Sequence, residues 1–120
     1  MAKIERFEDV RSWQMARELT NAVYAMTRDG EFTRDFGLKD QIRRAAGSVM
    51  HNIAEGFDAG SDAEFVRFLV YARRSATEVQ SQLYLALDQN YIAKTDFDQM
   101  YQLSTACKKS INALIRYLKK

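Results

Sequence analysis

One histidine, one cysteine and a pair of aspartates are the side chains best suited to chemistry in this chain, and none has the company that catalysis needs. His51 is the only histidine, so a histidine-containing triad or a multi-histidine metal centre is short of parts. It stands one helical turn from Glu55, at i,i+4 spacing, and reads best as a surface or interface residue. Cys107 is the only cysteine and cannot close an internal disulfide. It falls on an apolar stripe, where a thiol packs rather than attacks. Asp96 and Asp98 are of the type for a general acid and base. Their place in the first turn of a helix explains them as partners of the positive helix pole. No glycine-rich phosphate loop, Cys-x-x-Cys or His-Glu-x-x-His occurs. The chain therefore reads as a non-enzyme, with no catalytic residue, metal, cofactor or small-molecule substrate.

Two further sets of residues suit recognition. A polar line of Gln41, Ser48, Asn52 and Glu55, joined by Arg44, runs along one flank of a predicted helix. The next helix offers Ser75 and Glu78, with Arg74 and Glu78 at i,i+4 spacing. Such a line serves as a hydrogen-bonded network that sets helix register or makes a subunit contact; a polar patch for a partner is the alternative. Lys39, Arg43, Arg44, Arg67, Arg73 and Arg74 form a candidate basic surface for nucleic acid, whose binding would weaken steeply with salt. No recognition-helix turn accompanies them, and the aromatics fall at core spacing rather than on a stacking platform.

The elements that must position these residues are helices. The chain has 120 residues, no proline and five glycines, with 47% hydrophobic and 28% charged residues. That is one globular domain with too few turn residues for a sheet-rich fold. Helix one is predicted over about 9–29, with Val10, Trp13, Ala16, Thr20, Val23 and Thr27 inward, Leu19 and Met26 on a flank, and a stop at Asp29-Gly30. Helix two, about 36–55, carries the stripe Leu38, Ile42, Ala45, Ala46, Val49 and Ile53, whose small members let a neighbour approach closely. Helix three, about 62–89, opens on a Ser61–Glu64 capping box, presents Phe65, Phe68, Leu69, Ala72, Ala76, Val79, Leu83 and Ala86, and ends at Asn90, which suits the left-handed position. Helix four, about 96–118, opens at Thr95. Its stripe is Phe97, Met100, Leu103 or Ser104, Cys107, Ile111, Leu114 and Leu118. Short loops between four helices predict an all-α, antiparallel up-down-up-down four-helix bundle spanning 1–120.

Apolar residues exceed what one core face per helix requires. Tyr71, Tyr84, Leu85 and Leu87 lie off the main stripe of helix three, Tyr101, Ile115 and Tyr117 off that of helix four, and Met50 off that of helix two. Their richness in tyrosine suits an interface, so a homo-oligomer is expected. Net charge is +2, yet beyond Asp98 stand Lys108, Lys109, Arg116, Lys119 and Lys120 with no acid. These cations offset the negative pole of the last helix and can attract phosphate. The N-terminus has no signal-peptide run and no segment approaches a membrane span, so a cytoplasmic location without membrane contact is expected.

The segments QIRRAAGSVMHNIAEG (41–56) and EFVRFLVYARRSATEVQSQLYLAL (64–87), followed by Asn90-Tyr91-Ile92, resemble the bacterial four-helix-bundle family encoded in intervening sequences of large-subunit ribosomal RNA genes. The accessory variability protein of diversity-generating retroelements belongs to the same group. The similarity extends from about Phe7 to Leu118. It implies an up-down bundle assembled as a pentamer and, in the retroelement branch, binding to nucleic acid and a reverse transcriptase. Met50 stands where relatives often carry proline, and Phe57-Asp58-Ala59-Gly60 replaces a turn that is often basic. Two roles follow: a self-assembling scaffold or adaptor for a macromolecular partner, or a nucleic-acid-binding accessory protein.

Overall fold

The computed structural model describes residues 4–120. Four helices, α1 (Arg11–Met26), α2 (Phe36–Phe57), α3 (Asp62–Asp88) and α4 (Lys94–Leu118), account for most of them, and no strand occurs among the described residues. Single 3₁₀ turns at Phe7–Asp9 and Phe32–Arg34 precede α1 and α2. Each helix packs on its sequence neighbours and α1 also packs on α4; α2 and α3 share the most extensive contact.

The helix ends show where side-chain chemistry overrides periodicity. α1 is shorter at both ends than 9–29. Its start is displaced because Phe7–Asp9 forms a separate turn and Val10 is extended (φ −74°, ψ 121°). It ends at Met26, where the Thr27 N–H and hydroxyl both donate to the Val23 carbonyl, at 3.1 and 2.8 Å. Gly30 takes φ 69° further on, in the connection itself. The Asp35 carboxylate caps α2 by accepting from the Leu38 N–H at 3.1 Å. Ser61 caps α3 by accepting from the Glu64 N–H at 3.2 Å. The Glu64 carboxylate turns instead to Arg67 at 2.8 Å, so only half of the predicted capping box forms. Thr95 is not a cap, because α4 begins one residue earlier and its cap position is Ala93. Asp96 remains in the first turn, while Asp98 accepts from Lys94 at 2.6 Å. Asn90 adopts the left-handed conformation at φ 62°, as its type suggests.

Two apolar clusters make the core, and each draws on all four helices. One joins Leu19 and Val23 with Leu38, Ile42, Val79, Leu83, Phe97 and Met100. The other joins Ala16 with Val49, Ile53, Leu69, Ala72, Cys107 and Ile111. Burying a single leucine or isoleucine in such a cluster contributes about 1.5–3 kcal/mol. The α2 stripe is buried as predicted. Leu19 proves central rather than flanking, Trp13 and Thr20 are half-buried, and Ile115 replaces Leu114 as the inward residue near the end of α4. Ser104, not Leu103, takes the central α4 position, where its hydroxyl donates to the Ala76 carbonyl at 3.1 Å. Gly56 is the tightest point. A Cβ there would lie 2.7 Å from Phe68 Cβ and 2.9 Å from Phe65 Cδ1, so α2 can pass α3 only with glycine at this position.

Candidate functional site

The polar line of α2 divides. Ser48, Asn52 and Ser75 come together at the α2–α3 seam. The Ser75 hydroxyl donates to Ser48 Oγ at 3.0 Å, and Asn52 Nδ2 donates to Ser48 Oγ at 2.9 Å and to the Ser48 carbonyl at 2.8 Å. Gln41, Glu55 and His51 are exposed. Arg44 pairs with Asp40 on its own helix at 3.0 Å, both side chains largely solvated. Glu78 accepts from Gln82 at 3.3 Å and makes no ion pair with Arg74 among the described residues. The network is therefore three residues, because only these side chains turn into the seam and the others follow solvent.

The six candidate cations do not share one surface. The Arg43 side chain lies over the Tyr24 ring at 4.4 Å and Nε donates to Thr27 Oγ1 at 2.8 Å, which ties it to the α1–α2 seam. Arg73 Nη1 donates to Asn112 Oδ1 at 2.7 Å, across the α3–α4 seam. Arg67 is held by Glu64 and donates to the Tyr71 hydroxyl at 3.3 Å. Lys39 reaches Thr33 Oγ1 at 3.5 Å and lies over Phe36. Arg74 is exposed. Helical spacing groups these residues on the sequence, while packing sends Arg43 and Arg73 to different seams.

The polar centre of the α3–α4 seam escaped the sequence reading. Gln80, 6% exposed, donates to Thr105 Oγ1 at 2.9 Å and to the Tyr101 carbonyl at 3.3 Å, and its Oε1 accepts from Lys108 Nζ at 3.1 Å. Its signal was present: Gln80 stands four residues after Ala76 and three before Leu83, at buried spacing. Asp35 was also missed. Besides capping α2, its carboxylate accepts from the Tyr91 hydroxyl at 2.9 Å, and that hydrogen bond raises the Tyr91 pKa above the ordinary phenol value. One carboxylate thus fixes the start of α2 and the α3–α4 connection together.

Cys107 is fully buried and its thiol donates to the Ser12 carbonyl at 3.6 Å. Burial pushes its pKa from 9.0 to about 12, which keeps it neutral and unreactive at ordinary pH. Among the described residues no three His, Cys, Asp or Glu side chains gather where a metal could be held, and no helix is long and apolar enough to cross a membrane.

Four helices with polar rungs at their seams define an all-α, four-helix protein. The chain matches the family of 23S rRNA-intervening sequence proteins over residues 8–113, and it belongs to that family. A crystal structure of a protein of unknown function from the S23 ribosomal protein family of Bacteroides thetaiotaomicron VPI-5482 shares the fold. Its TM-score is 0.74 at 26% identity, covering 88% of this chain and 91% of the other. No curated protein sequence matches the chain.

Proposed function

We propose that this protein is a non-enzymatic, self-assembling up-down-up-down bundle that serves as a scaffold or adaptor for a macromolecular partner. The bundle reading is supported by the order of contacts. Arg73 meets Asn112 while Gln80 meets Thr105, and Thr20 meets Ala46 while Thr27 meets Arg43, so partner numbers fall as the first rises. The observation that carries self-assembly is apolar surface left over after the core is filled. Tyr84, Leu85 and Tyr117 are each about half exposed and Phe36 is 72% exposed. Met50, Leu87, Tyr101 and Ile115, by contrast, are absorbed into the core or its margin. Apolar and aromatic side chains left this exposed suit a second surface. Light scattering at micromolar concentration is expected to give a mass of several subunits, five being the number the resemblance implies. A monomer at 100 μM, on the order of concentrations at which weak contacts still form, sinks the reading.

A second reading, a nucleic-acid-binding accessory protein, draws on exposed Arg74 and on Lys109 and Arg116 of α4. Fluorescence anisotropy with RNA and DNA at two salt concentrations tests it. Binding that weakens steeply with salt supports it, and no binding at low salt eliminates it.

A further inference from the structure

Two glycines of α2 stand in opposite situations. Gly56 is required by its own chain, since α3 leaves no room for a Cβ there. Gly47 is not. It lies inside α2 without the positive φ that favours glycine, and an added Cβ would meet nothing nearer than His51 Nε2, at 3.6 Å. Glycine weakens a helix interior relative to alanine, so Gly47 carries a cost that packing within the chain does not explain. It helps to line a groove of about 490 Å³ on the outer side of α2, whose charged and titratable residues are Asp40, Arg43, Arg44, His51 and Glu55. Arg43 is tied to Thr27 and Tyr24, and Arg44 to Asp40. His51 and Glu55 have no ion-pair partner among the described residues.

We propose that this groove receives α1 of a second copy of the chain, with Glu18 over Gly47 and Arg11 against Glu55. Arg11 and Glu18 are exposed on one stripe of α1, and neither has an ion-pair partner among the described residues. Arg17, the remaining charged residue of α1, is drawn back over the Trp13 ring at 5.8 Å. The spacings agree. At 1.5 Å per residue, Arg11 and Glu18 stand about 10 Å apart along α1, and Glu55 and Gly47 about 12 Å apart along α2. The order agrees as well. Thr20 meets Ala46 while Thr27 meets Arg43, so α1 and α2 run antiparallel and Arg11 and Glu55 lie toward the same end of the bundle. Two copies standing side by side in the same direction thus bring cation to anion at that end. Glu18 enters the gap left by Gly47, one turn from Arg44 and one turn from His51. The α1 stripe faces the α4 side, where Arg11 stands beside Ala113, whereas the groove opens outward from α2. Contact between unlike patches gives every copy two neighbours and closes into a ring, which accommodates five subunits.

This inference rests on the self-assembly reading and narrows it to one contact. Sedimentation equilibrium of the wild type, Gly47→Leu, Arg11→Glu, Glu55→Arg and the Arg11→Glu/Glu55→Arg double variant tests it, with urea unfolding of each. Gly47→Leu is expected to fold at least as stably as the wild type, because a better helix former enters open space, and yet to associate about tenfold more weakly or worse, because it fills the groove. Each single charge reversal is expected to weaken association about tenfold, and the double variant to recover most of that loss. A Gly47→Leu chain that assembles like the wild type, or that loses stability as a single chain, overturns the proposed contact. So do single reversals without effect, or a double variant as weak as the singles. Each of these results leaves self-assembly standing, whereas a monomeric wild type removes both.

Discussion

Helix α3 meets its two sequence neighbours by opposite means. Against α2 it uses absence: Gly56 lets Phe65 and Phe68 close on the backbone, and the hydroxyls of Ser48 and Ser75 touch across the gap. Against α4 it uses reach: Gln80, Lys108, Arg73 and Asn112 extend long polar side chains across the seam. A seam of small residues is specified by shape and tolerates no added atom. A seam of long polar residues is specified by hydrogen-bond pairing, and it fails when one partner leaves another unsatisfied. The two seams should therefore break differently.

The largest effect is expected at Gly56. Gly56→Val places branched carbons where even a single Cβ lies 2.7 Å from Phe68, and overpacking of this kind costs about 3 kcal/mol; urea unfolding measures it. A loss below about 1 kcal/mol would mean that α2 and α3 can separate without penalty, and the shape argument would fail. Gln80→Ala is expected to cost about 2 kcal/mol by the same measurement, because it removes a buried amide and leaves its three partners, Thr105, the Tyr101 carbonyl and Lys108, without that bond. Ser48→Ala and Ser75→Ala should each cost about 1 kcal/mol or less. Their double-mutant cycle should give a coupling of about 0.5–1 kcal/mol, and zero coupling would mean that the hydroxyl pair adds nothing to close packing.

The smallest expected effect below pH 8 is that of the Cys107 thiol. Its folded pKa of about 12 lies above the ordinary 9.0, so the folded state holds the proton that the unfolded state releases. The stability contributed is complete below pH 9 and is lost as pH rises toward 12. Stability should be flat in this respect from pH 6 to 8. Native-state alkylation at pH 8 should be slower than in the unfolded chain by on the order of a thousandfold. Rapid labelling of the folded protein contradicts this.

The contrast between the seams also explains what was legible in the sequence. The α2 stripe, the small residues at Ala45 and Ala46 and the left-handed Asn90 could be read directly, because period and residue type are local properties. Ser48, Asn52 and Ser75 were legible as candidates because they repeat along helix flanks. Their separation from Gln41, Arg44, Glu55 and Glu78 was not, since it depends on which flank turns into the seam. Arg43 and Arg73 look alike in the sequence, yet Thr27 and Asn112, sixteen and thirty-nine residues away, decide where each one points. Gln80 was passed over because glutamine is normally a surface residue, and only its spacing marks it as inward.

The short connection 58–61, between α2 and α3, has a kinetic consequence. It joins the pair of helices with the most extensive contact, and the Gly56–Phe68 approach lies beside it. Contacts so near in sequence close at small entropic cost, which favours this hairpin as the folding nucleus. Contacts between α1 and α4, such as Cys107 to Ser12, span most of the chain and should form late. Substitutions beside Gly56 are then expected to slow folding, whereas those at Ser12 mainly speed unfolding. Stopped-flow chevron plots decide it: equal effects of both on the folding limb would place the nucleus elsewhere.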